Sequence, residues 1–309
     1  MTAPYIHSGR TVSWYMQQAL WAMMPGLLIL FLFFGKDILI NLAIASISAI
    51  AFEALILKIR NLPIIETLKD SSVLVTAWLI AASVPVSLSP LLLILSLFFA
   101  VVIAKQLYGG LGHNIFNPAM VAYVVLLISF PLAMSQWPQP ALPAFLNYSI
   151  DATSRATPLD MWHTQQVITW QSPWLIINLA WMAGGLYLLV RKLIPWQSVC
   201  AFLLGLIILT QITLGIQWNP YALLFQLFSG GTMLAAFFIV TDPVTSATTP
   251  LGRFIFGLGV SIFTFCIRKA GGFPDGIAFS VLLMNCAVPL LDRYTMPRVF
   301  GHKNWWRRH

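Results

Sequence analysis

Charge is what this sequence has least of. Only 8% of its 309 residues are Asp, Glu, Lys or Arg, and 59% are hydrophobic, whereas a soluble globular domain carries about 25% charged residues. That composition excludes a water-soluble globule and makes lipid the solvent. Cysteine is nearly as scarce. Cys200, Cys266 and Cys286 each lie in an apolar stretch with no Cys or His at metal-ligand spacing, which excludes an iron–sulfur or zinc cluster built by this chain and leaves no expected metal site. No glycine-rich nucleotide-binding loop is present either. The N-terminus is polar and its first apolar stretch is followed by no cleavage site, so that stretch is expected to remain as the first helix.

Long apolar runs take the place of what is missing. Ten are read, at 13–34, 38–57, 71–86, 89–104, 118–133, 172–190, 196–214, 221–240, 251–267 and 275–291; about 20 residues cross a hydrocarbon core. The net charge of +8 does not point to nucleic acid, because the basic residues sit between these runs and in the tail from Lys303 to Arg308. With the N-terminus in the cytoplasm, Arg10, Lys58, Arg60, Lys69, Lys105, Arg191, Lys192, Arg253, Arg293, Arg298, Lys303, Arg307 and Arg308 face inward. Lys36, Arg155, Arg268 and Lys269 face outward. Thirteen against four, out of the 17 basic residues, satisfies the positive-inside rule and requires an even number of spans.

Residues 71–87 and 229–245 share a spacing: Ser71, Pro85, Val86 and Ser87 match Ser229, Pro243, Val244 and Thr245. Ala122, Tyr123, Val125, Leu126 and Leu127 align with Ala278, Phe279, Val281, Leu282 and Leu283 at a similar offset. Chance likeness between Leu-rich helices is the alternative. Repeats of five helices must be inverted relative to one another. The expected fold is therefore an all-α integral membrane protein of about ten transmembrane helices. Residues 1–134 form the first five-helix repeat, 135–171 an external loop, and 172–309 the second repeat with a basic tail, both termini being cytoplasmic.

The external loop contains Ser154-Arg155-Ala156-Thr157-Pro158-Leu159-Asp160. Proline disfavours a helical conformation for the residue before it, so the Thr157 hydroxyl is held on extended backbone, and Arg155 suits a phosphate. On these residues alone a helix start is the simpler reading, with Thr157 as N-cap, Pro158 at the first position and Asp160 at the third. The two readings are compatible, since a helix N-terminus also attracts phosphate. The polar, Gly- and Pro-broken segments 109–118 and 241–253 occupy matching places in the two halves. They read equally as capped turns or as a cofactor, quinone or ion site, with Asn117 and Asp242 the residues to test. Glu53 is the one carboxylate placed within an apolar run, about a turn from its cytoplasmic end. A role in ion passage competes with snorkelling or pairing with Lys58. Trp137, Trp162, Trp170, Trp174, Trp305 and Trp306 read as interface anchors.

Lys105-Gln106-Leu107-Tyr108-Gly109-Gly110-Leu111-Gly112 followed by Phe116-Asn117-Pro118-Ala119-Met120 resembles the D-subunit family of the bacterial Rnf electron transport complexes. So do Leu68-Lys69-Asp70, Thr241-Asp242-Pro243-Val244, Gly271-Gly272-Phe273-Pro274-Asp275-Gly276 and Pro297-Arg298-Val299-Phe300-Gly301-His302. The family is similar in turn to the B subunit of the sodium-pumping NADH:quinone reductase. The resemblance implies FMN esterified through its phosphate to Thr157, with Ser154, Arg155 and Asp160 in support, and it reverses the preference for a bare helix start. It admits a second, non-covalent flavin. Ser229-Gly230-Gly231-Thr232 has a similar pattern but opens an apolar run that a flavin transferase working in solution could hardly reach; its small residues suit close helix packing.

The function expected is thus a subunit of a bacterial inner-membrane translocase, in which FMN passes electrons while the helices couple them to sodium or proton movement. No catalytic residue is assigned. The implied partners are the A, B, C, E and G subunits, a flavin transferase and membrane lipid; nicotinamide oxidation and cluster chemistry fall to those subunits. A solute channel or a scaffold without flavin are the competing readings, and neither needs an external Ser-x-Ala-Thr-Pro segment.

Overall fold

A computed structural model describes residues 10–138, 173–214, 220–270 and 275–297. Among them the chain is helical without strands, as a backbone facing lipid must be, since nothing there replaces the hydrogen bonds of water. A first set of helices precedes the 139–172 connection: α1 Val12–Phe34, α2 Asp37–Ile59, a short α3 Ile64–Leu68, α4 Ser72–Ser83, α5 Pro90–Leu97 running into the π-helix π1 Phe98–Gln106, α6 Pro118–Ser129 and a short α7 Pro131–Ser135. A second set follows: α8 Pro173–Val190, α9 Trp196–Leu214, α10 Pro220–Phe228, α11 Thr232–Leu234 running into π2 Ala235–Ile239, α12 Pro250–Ala270 and α13 Ile277–Thr295.

Each of the ten apolar runs holds helix, but they differ in length. Six of them, α1, α2, α8, α9, α12 and α13, are long and apolar enough to cross a membrane, or seven if α10 and the α11–π2 piece count as one span bent by 64°. Helix α4, with 12 residues, rises only about 18 Å, short of a hydrocarbon core of roughly 30 Å.

Local sequence sets the helix ends. The Thr11 side chain accepts the Trp14 N–H to open α1, and Gly35, at φ 71°, closes it. Pro90 and Pro118 occupy first positions in α5 and α6, where their missing N–H costs nothing. Inside π1, the wider helical turn brings consecutive Ala104, Lys105 and Gln106 all to the buried side, which a 3.6-residue repeat would not do.

The two sets meet through α1 against α8, the first helix of each set, and α6 against α13, near the end of each. Small residues make this possible. A Cβ on Gly184 of α8 would stand 1.8 Å from the Ala22 carbonyl oxygen of α1, and one on Gly26 of α1 would stand 2.3 Å from the Trp181 ring. In lipid, where apolar burial drives little, such backbone approach supplies the packing energy. Gly184→Ala is expected to force the helices apart, at roughly 1–3 kcal/mol or more for overpacking. In a detergent thermal-unfolding series its midpoint falls well below that of the parent, while Leu186→Ala on the exposed face of the same helix leaves it nearly unchanged.

Candidate functional site

Two buried clusters of charged side chains form, one in each set. In the first, Glu53 of α2 and Lys105 of π1 are 1% and 2% exposed. Lys105 Nζ donates to Glu53 Oε1 at 2.7 Å and to Ser72 Oγ at 2.8 Å, and Gln106 Nε2 donates to the same Glu53 Oε1 at 2.7 Å. Arg60 closes the end of the cluster through Gln106 Oε1 and the Gln106 carbonyl. The sequence expectation paired Glu53 with Lys58 or sent it to the interface; the structure gives it to Lys105, because the π-turn aims Lys105 and Gln106 together at α2. Glu53 Oε2 is buried without a hydrogen-bond partner among the described residues.

The second cluster has the same make-up. Arg268 near the end of α12 is 2% exposed. It donates to Gln226 Oε1 and the Gln226 carbonyl, each at 3.1 Å, to Thr232 Oγ1 at 2.9 Å, and to Asp275 Oδ1 at 3.2 Å. In both clusters a cation at the C-terminal end of one helix donates to a hydroxyl at the start of another and to a carboxylate. The orientation count had placed Lys105 on the cytoplasmic face and Arg268 outside; both are interior, so neither belongs in it.

Ser229-Gly230-Gly231-Thr232 is a helix break rather than a close-packing stripe. Gly230 sits at φ 56°, in the left-handed region that favours glycine. Asn178 of α8 bridges the break: its Nδ2 donates to the carbonyls of Phe228 and Gly230, and its Oδ1 accepts the Met233 N–H. Thr232 is wholly buried with its hydroxyl committed to the Ser229 carbonyl and to Arg268. A flavin transferase has no access to it.

A cavity of about 350 Å³ opens between the two sets beside this break. Met120, Tyr123 and Leu127 of α6, Ile177 and Trp181 of α8, Ala235 and Ile239 of π2, and Gly230, Gly231 and Asp275 contribute to its wall, together with Trp137 and Trp174. Those two rings pack edge to face at 5.2 Å, each about 6 Å from Phe34. Read from the sequence as interface anchors, they also line the cavity. Trp162, Trp170, Trp305 and Trp306 lie outside the described residues, as do Ser154, Arg155, Thr157 and Asp160.

Asn117 and Asp242, assigned from separate segments, are in contact. Asn117 Oδ1 accepts the N–H groups of Ala119 and Met120, capping α6, and its Nδ2 donates to Asp242 Oδ2 at 3.1 Å. Asp242 also accepts from Val244 N–H and Thr245 Oγ1. It sits in the turn after π2, where burial pushes its carboxyl above the usual range while these three hydrogen bonds act against that shift. Among the described residues no group of three His, Cys, Asp or Glu side chains could hold a metal.

The chain is a multi-pass helical membrane protein with interrupted helices, buried ion pairs and a ligand-sized cavity, the features of translocating membrane subunits. It belongs to the NQR2, RnfD, RnfE family, whose model matches residues 1–301. Among similar proteins is the D subunit of the ion-translocating oxidoreductase complex of Klebsiella pneumoniae (strain 342), 44% identical over 98% of each chain. Its counterpart in Escherichia coli (strain SE11) is 43% identical over 98% of each, and that of Shigella boydii serotype 18 is 42% identical over the same share.

Lys105, Arg268, Asp275 and Asn178 were not singled out as site residues from the sequence. Asn178 alone had a local signal, an amide in the middle of an apolar run. Removing one partner of a buried pair strands the other charge, at about 3–5 kcal/mol. Lys105→Met is accordingly expected to lower the unfolding midpoint sharply, and Lys105→Met with Glu53→Gln to recover most of the loss. Equal losses in the single and double variants would show that the pair carries no coupling.

Proposed function

We propose that this chain is the D subunit of an ion-translocating oxidoreductase complex in a bacterial inner membrane, carrying FMN on Thr157 and coupling electron transfer to sodium or proton movement. The family and the relatives support the complex. Partners are its A, B, C, E and G subunits, and a flavin transferase attaches the FMN.

The observation that carries the flavin reading is the cavity. Trp137 and Trp174 stand two residues outside the two ends of the 139–172 connection and bring those ends together at the cavity wall. The connection that carries Thr157 is thus rooted on both sides at a space of about 350 Å³, within the roughly 300–1,000 Å³ typical of small-molecule sites. Fifteen or more residues on either side of Thr157 give ample reach at about 3.3 Å per extended residue. Tyr123, Trp137, Trp174 and Trp181 present aromatic surface of the kind a flat heteroaromatic ring packs on, and the residues present fit such a ring. The bound flavin would supply electron transfer; the chain's residues exclude water and fix the ring's surroundings.

Ion movement is assigned to Glu53, Asn117 and Asp242. Glu53 keeps a buried oxygen without a hydrogen-bond partner among the described residues, and Asn117–Asp242 ties the first set of helices to the second. The matched clusters and the α1–α8 and α6–α13 pairings support two inverted five-helix repeats, with ten membrane crossings and both termini cytoplasmic. A second, non-covalent flavin belongs to the same reading through the family resemblance alone.

Two measurements test this reading. In-gel flavin fluorescence of the denatured protein, co-expressed with a flavin transferase, should be present in the parent and absent in Thr157→Ala; a dark parent removes the redox assignment. Ion uptake by vesicles containing a Glu53→Gln complex that retains its FMN should fall at least tenfold, and unchanged uptake ends the role given to Glu53.

A further inference from the structure

The cavity wall is mainly apolar, with Ser83, Tyr123 and Ser135 as its uncharged polar side chains. Asp275 is the only charged side chain among the described residues that line it. Its Oδ1 accepts from Arg268 Nη2 at 3.2 Å and from the Ile277 N–H at 3.3 Å, and its Oδ2 accepts the Gly231 N–H at 3.3 Å. Behind it the Arg268 guanidinium is 2% exposed, and its Nε is buried without an acceptor among the described residues. The cavity therefore faces a carboxylate backed by a buried cation, a pair with no net charge.

We propose that Asp275 and Arg268 act as positioning residues that set the reduction potential of the flavin ring in this cavity, by holding the local charge at zero. The inference rests on the reading that a flavin occupies the cavity. A reduced flavin carries added negative charge, and between apolar walls that charge senses neighbouring charges with little screening. An uncompensated carboxylate at Asp275 would disfavour reduction, and an uncompensated guanidinium at Arg268 would favour it. Paired, the two leave a polar oxygen at the wall without either bias. Four donations from Arg268, to Gln226, Thr232 and Asp275, hold the pair at the helix break that shapes the cavity, so its position does not depend on the ligand.

Charge and structure are separable by substitution, measuring the midpoint potential of the covalent FMN by spectroelectrochemistry on the purified complex. Asp275→Asn leaves Arg268 uncompensated and should raise the potential. The expected size is at least a tenfold gain in the reduced-to-oxidised ratio at fixed potential, or about 59 mV for a one-electron couple. Adding Arg268→Gln to Asp275→Asn restores neutrality and should return the potential to within threefold of the parent ratio, although it removes more hydrogen bonds. Loss of packing alone would make the double variant the more disturbed. Arg268→Lys keeps the charge and should hold the parental potential, which keeps the test open if Asp275→Asn does not assemble. An unmoved or lowered potential in Asp275→Asn, a shift that persists in the double variant, or a shift in Arg268→Lys overturns the inference while leaving the flavin assignment standing. A parent without covalent FMN overturns both.

Discussion

A helix interrupted inside a bilayer must find new partners for every backbone group it frees, and the second set of helices depends on how that demand is met. At 228–232 the chain stops being helical while still surrounded by other helices. Each exposed carbonyl or N–H left bare there would cost several kcal/mol. Asn178 serves two carbonyls and one N–H across the gap, Thr232 takes the Ser229 carbonyl, and Asp275 takes the Gly231 N–H. The 64° bend is thus held by side chains from α8, from α11 itself and from the approach to α13. The cavity opens beside this bend, with Gly230, Gly231, Leu234, Ala235 and Ile239 in its wall.

Buried charge follows from the same constraint. Arg268 is needed at the break to serve the Gln226 carbonyl and the Thr232 hydroxyl, but a lone guanidinium in an apolar interior is very costly, so Asp275 accompanies it. In the first set Lys105 reaches Ser72 at the start of α4 and is accompanied by Glu53. Each cluster is a helix end pinned by a cation, with a carboxylate to balance it. The hydroxyl, the cation and the carboxylate come from three different parts of the chain, so no cluster forms until the surrounding helices have packed.

This explains what was legible beforehand. The ten apolar runs, the helical class and the family resemblance could be read directly, because periodicity, length and short motifs are local properties. Asn117 and Asp242 were singled out by their broken, polar surroundings, although their mutual hydrogen bond could not be foreseen across 125 positions. Lys105 and Arg268 were misread as loop charges because each stands within three residues of a helix end, where a cation normally reaches water. Only the π-turn and the packing of α12 on its neighbours turn them inward. Position near a span end suggests an anchor for Trp137 and Trp174; their place in the cavity wall could not be foreseen, because the partner ring lies at the far end of a long connection. The break at Ser229–Thr232 was seen as a run of small residues, and distinguishing a packing stripe from an interruption required the left-handed Gly230.

The two clusters are built alike and finished differently, which bears on how one fold can handle both electrons and ions. Asp275 has both oxygens engaged by donors of the chain itself, and it stands at the wall of an aromatic-lined cavity. Three donations, one of them from the helix break itself, fix its position. Glu53 has one oxygen accepting two donors and the other accepting none among the described residues, and it is not part of that cavity's wall. The Glu53 oxygen without a donor is the place in its cluster where a further donor or cation can be accepted, whereas Asp275, held by three donors, serves as a fixed charge. The difference follows from the partners: Lys105 Nζ divides its donations between one Glu53 oxygen and Ser72 and leaves the other Glu53 oxygen bare, whereas the planar, multiply donating Arg268 spans Gln226, Thr232 and Asp275. Two helix ends are thus pinned alike, one by a lysine that serves a single carboxylate oxygen and the other by an arginine that reaches three side chains.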